Sequence, residues 1–212
     1  ATFDQYSKKK ISQYSNVLMT ISLKKRYFSY FILPGIFYLS LLVFLFYNRH
    51  ILLGHFVFGM CMILILVLFL NVKSSMRKFY TIHIATKAIF DFMCITTLYL
   101  LLNAFLRIGF SMIEFLLLSF TSSFILYLFV LKLHDRLGGL EILFAFASSI
   151  FVSASLVPFW NRSVFMLPAV GALSFYLIIS LWNIRFSGKV KLSDYLAPVL
   201  YVLFALALIF TI

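Results

Sequence analysis

Polar positions are sparse along this chain and come in short bursts. Between them lie seven apolar runs: Phe28–Asn48, Ile51–Asn71, Ile84–Leu106, Phe110–Leu131, Leu140–Phe159, Val164–Ile184 and Leu192–Ile212. Each run is about 20 residues long, the length at which a helix crosses a hydrocarbon core of roughly 30 Å. Lipid offers the backbone no hydrogen bonds, so the runs are expected to be helices rather than open strands. The connecting segments are too short to hold a second domain. The pattern therefore predicts an all-α, polytopic membrane bundle of about seven transmembrane helices over residues 28–212.

A different pattern precedes the first run. Ile11, Tyr14, Leu18 and Ile21 recur at helical spacing, with Val17 beside them, and Lys8, Lys9, Lys10, Lys24, Lys25 and Arg26 flank the stripe. Residues 1–27 are expected to form a basic amphipathic helix lying on the membrane surface, its cations against anionic lipid headgroups. Pro34, Pro168 and Pro198 are expected to bend the first, sixth and seventh helices.

Composition agrees with the pattern. Hydrophobic residues make up 64% of the 212 and charged residues 11%, against about 25% charged in soluble domains. A soluble fold of this size has too little polar surface to cover such a core. The net charge of +12 would suggest nucleic acid in a soluble protein, but here the cations sit between apolar runs, where they set orientation. Nucleic acid is not an expected partner; lipids and other membrane subunits are.

The division of those cations is uneven. Lys8, Lys9, Lys10, Lys24, Lys25, Arg26, Lys73, Arg77, Lys78, Lys132, Arg136, Arg185, Lys189 and Lys191 fall on the side of the N-terminus. Only Arg49, Arg107 and Arg162 fall on the far side, and Lys87 lies within a run. The N-terminal side is thus expected to face the cytoplasm or a matrix-like space, in a bacterial cytoplasmic membrane or an organelle inner membrane.

Candidate chemistry is thin. Lys87 and Asp91 are four residues apart, on one face of the third helix, and charges within a span are costly unless paired or hydrated. They form the candidate intramembrane polar site, expected to be a structural pair. His134, Asp135, Arg136 and Glu141 form a candidate interfacial cluster, with Glu141 at a helix N-terminus where the dipole favours a carboxylate. Ala145, Ser149 and Ser153, at every fourth position, mark a face where another helix can approach closely. Met60, Cys61 and Met62 point about 100° apart and cannot all face one ion, so no metal and no cofactor is expected.

Gly54-His55, Arg77 and His83 resemble fragments of lipid phosphatase motifs. Leu52-Leu53 stand where that family has Pro-Ser, and Lys87 stands where it has an acid. The stretch from Gly171 to Phe186 similarly resembles the lysoplasmalogenase-like membrane family, without its acidic residue. Neither family's catalytic roles carry over. The expectation is a non-catalytic subunit or scaffold of a membrane complex. A small transporter or channel using Lys87 and Asp91 is the alternative, and a membrane-embedded lipid-modifying enzyme the third.

Overall fold

The computed structural model describes residues 31–75, 82–134, 136–160, 164–186 and 192–211. The surface segment expected over residues 1–27, including Lys8, Lys9, Lys10, Lys24, Lys25 and Arg26, lies outside the described residues. Residues 1–35 and residues 36–212 are separate units, and the packing below belongs to the second.

Every described element is helical. In chain order these are α1 (Leu33–Tyr47), α2 (Ile51–Ser75), α3 (Ile82–Ile108), α4 (Met112–Leu133), α5 (Gly139–Leu156), α6 (Met166–Phe186) and α7 (Leu192–Thr211). A 3-10 turn, Val157–Phe159, follows α5. Six of the helices, α2 to α7, are long and apolar enough to cross a membrane. The protein is a multi-pass helical membrane bundle. α1 has 15 residues, about 22 Å at the helical rise, short of a roughly 30 Å core. Six spans are therefore described where seven runs are read in the sequence.

Four helices make the core. α3 packs on α4, α4 on α5, α5 on α6, and α6 returns to α3, while α2 lies on α3 and α7 on α6. α3 buries 56% of its span, against 17% for α2 and 11% for α7. α3 is thus the axis of the bundle, and α2 and α7 turn their Leu and Phe side chains outward, as lipid allows and water would not.

Local chemistry fixes the connections. α3 and α4 are joined by three residues, with Gly109 at φ 89°, a left-handed conformation that glycine adopts without steric cost. Ser111 then caps α4: its backbone N–H and hydroxyl donate to the Glu114 carboxylate at 2.9 and 2.8 Å, as in a capping box. Pro168 lies in the first turn of α6, where a proline removes no intrahelical bond. Pro198 lies inside α7, and Pro34 follows the π-helical Phe31 and Ile32 at the start of α1.

Hydroxyls inside the bundle are satisfied at home. Thr97, Ser119, Ser123 and Ser149 donate to carbonyls three or four residues back on their own helices. Two pairs reach across: Ser119 to Ser153 at 2.9 Å between α4 and α5, and Ser174 to Ser155 at 3.1 Å between α6 and α5. At Gly171 an added Cβ would lie 2.5 Å from Leu102 and 3.2 Å from Leu156. α6 comes that near to α3 and α5 because the side chain is missing.

Candidate functional site

α3 turns Phe90, Asp91, Met93, Cys94, Thr97 and Leu98 inward. Asp91 sits about one turn inside the span that begins at Lys87, and its residue is 7% exposed. α4 ends at Leu133, and His134 occupies its C-cap, held by a bond from its N–H to the Val130 carbonyl at 3.0 Å. From there the imidazole reaches Asp91, with Nε2 3.2 Å from both carboxylate oxygens. With the carboxyl ionised, Nε2 is the donor, because a carboxylate only accepts. Asn183, near the end of α6, donates from Nδ2 to Asp91 Oδ2 at 3.0 Å. One carboxylate therefore ties together three helices of the core.

The structure adds members to the pair drawn by spacing alone. Lys87 lies half-buried one turn from Asp91 on the same helix, while the structure brings His134 and Asn183 to the carboxylate. Within the candidate interfacial cluster, His134 turns inward to Asp91 and Glu141 takes another direction. Arg136 stands in the tight loop, its N–H on the Leu131 carbonyl at 2.9 Å. Asp135 lies outside the described residues. Glu141, in the first turn of α5, folds back over Gly138, filling the space a Cβ there would need.

Glu141 also lines a cavity of about 370 Å³ with Leu131, Phe144, Trp182 and Arg185. It is bounded by α4, α5 and α6, at the end of the bundle that holds the Asp91 cluster. Its acid and its base balance one another. Near it the Tyr127 ring packs, tilted, against Phe175 at 4.2 Å and Trp182 at 5.3 Å between ring centres. Leu98, Leu102 and Leu126 are buried as well, none more than 2% exposed.

Ala145 and Ser149 are fully buried and Ser153 is 9% exposed, with Ser153 meeting Ser119 of α4 as described. Among the described residues no hydroxyl or thiol hydrogen-bonds to His134. Nor, among the described residues, do three His, Cys, Asp or Glu side chains gather as a metal site requires. The arrangement sets a buried carboxyl group against an imidazole and an amide from two other elements. Asn183, Trp182 and Arg185 are the members sequence reasoning missed. The available signal was an amide, Asn183, inside an otherwise apolar run.

No protein-family model, curated protein or solved structure matches the chain. The class rests on the fold itself: an integral membrane bundle built on four mutually packed helices.

Proposed function

We propose that this protein is a non-catalytic subunit or scaffold of a larger membrane assembly, with Asp91, His134 and Asn183 acting as a structural staple. One observation carries the reading. The buried carboxylate is met by groups from two other helices, and the interior beyond it is packed with Tyr127, Phe175 and leucines. Polar groups in membrane proteins that serve a substrate face a wet path; here they join helices.

Isolation in mild detergent tests the proposal. A partner membrane protein retained at fixed stoichiometry through two orthogonal purification steps is the expected result. Its loss should parallel loss of folded protein in Asp91 and His134 variants. A monodisperse homo-oligomer without a partner overturns the reading.

A second reading, a small transporter, is favoured by the cavity holding Glu141 and Arg185 beside Trp182. It predicts that the pure protein moves protons or a charged solute across a liposome membrane, and that a folded Asp91→Asn variant does not. A pH-sensitive dye trapped in proteoliposomes distinguishes the two.

A further inference from the structure

The far side of the bundle carries few cations, and the fold brings two of them, Arg49 and Arg107, to one cavity. Arg49 and His50 come from the connection between α1 and α2, and Arg107 from the last turn of α3. Together with Tyr47, Val164 and Phe165 they line a cavity of about 370 Å³. The cavity on the opposite side has the same volume, but there Glu141 offsets Arg185. Around this one no carboxylate stands among the described lining residues.

Arg107 is held in position. Arg107 Nε donates to Asn103 Oδ1 at 2.6 Å, and Asn103, fully buried, donates to the Val164 carbonyl at 3.3 Å. The guanidinium lies over the Phe165 ring, 5.5 Å from its centre. These contacts use Nε and one face of the plane. The terminal nitrogens of Arg107 carry no hydrogen bond among the described residues, and two parallel N–H groups suit an oxyanion. Asn48 fixes the backbone at His50: its Nδ2 donates to the His50 carbonyl at 2.9 Å and its Oδ1 accepts from the His50 N–H at 3.3 Å. α2 starts at the next residue, so the positive end of its dipole lies beside His50.

We infer that this cavity is an anion-binding site for a phosphate-bearing group, of the kind carried by an anionic lipid headgroup. Uncompensated cations at a membrane border are stabilised by such an anion. The volume falls at the small end of ligand pockets, roughly 300–1,000 Å³, and suits a headgroup rather than a whole lipid. The aromatic and aliphatic walls of Tyr47, Val164 and Phe165 offer apolar contact where an acyl chain would leave. Free inorganic phosphate shares the charge chemistry but gains nothing from those walls.

A tryptophan placed in the cavity reads its occupancy. The full chain carrying Phe165→Trp, with Trp160→Phe and Trp182→Phe, is reconstituted in brominated phosphatidylcholine, and unbrominated phosphatidylglycerol is added. Tryptophan preserves the stacking on Arg107. The site predicts that phosphatidylglycerol relieves quenching several-fold more effectively than unbrominated phosphatidylcholine does. In Arg49→Gln the preference should fall by about tenfold or to none. Arg49 is exposed, so that variant keeps its fold even if Arg107→Gln does not. If millimolar inorganic phosphate abolishes the lipid preference, the shared oxyanion chemistry holds and a soluble ion is the better ligand. Equal effects of the two lipids, or a preference that Arg49→Gln leaves intact, overturn the inference.

Discussion

At Asp91 a carboxylate that alone in hydrocarbon would cost several kcal/mol is met by two N–H donors from other helices. His134→Leu removes one donor and leaves the charge buried, so it should destabilise the protein by about 3–5 kcal/mol. Adding Asp91→Leu removes the stranded charge and should recover part of that loss. Thermal unfolding in detergent measures both, and a double variant no more stable than the worse single would refute the staple. Tyr127 offers the reverse case. Its hydroxyl is buried with no partner among the described residues, so Tyr127→Phe should leave stability unchanged or raise it by up to about 2 kcal/mol. A lower melting temperature would mean that the hydroxyl is bonded after all. Asp91 was legible because a charge stands out in an apolar run. Its partners were not, since His134 and Asn183 lie 43 and 92 residues away. Lys87 was the one neighbour that helical spacing alone could supply.

Helices meet where side chains are small. Ser149 is fully buried, so Ser149→Leu should overpack α5 and cost about 1–3 kcal/mol. The same change at outward-facing Phe151, 54% exposed, should be milder. Gly171→Ala is expected to cost a similar 1–3 kcal/mol or less, because the atoms it meets on Leu102 and Leu156 are the mobile ends of their side chains. Melting temperatures of the three variants settle the ranking, and an unchanged value for Ser149→Leu would contradict close packing at that face. The spacing of Ala145, Ser149 and Ser153 was readable from the sequence because small residues repeat with the helix. Gly171 was not singled out, since one glycine in an apolar run carries no period. The same limit applies to the prolines: the sequence gives their position in a run, but where the helix starts decides whether they bend it.

For the whole molecule, the apolar runs made the spans legible, because length and hydropathy suffice when lipid is the solvent. Which helices adjoin was not legible, since all the runs are similarly greasy. The uneven cations predict that the 132–138 connection and the end of α5 lie on opposite sides. Leu137→Cys and Val157→Cys, at exposed positions, should label with a membrane-impermeant maleimide from opposite faces of sealed vesicles. Labelling of both from one face would require redrawing the spans between them.

The three-residue link at Gly109 has a consequence for biogenesis. It makes α3 and α4 a helical hairpin, the form in which adjacent spans can leave the insertion machinery together. The tip carries Arg107 and Glu114, whereas Asp91 and His134 stand at the hairpin's open end. With the orientation the cations favour, neither member of the buried pair has to traverse the hydrocarbon. The pair can close after insertion, and Asn183 can join when α6 arrives some fifty residues of synthesis later.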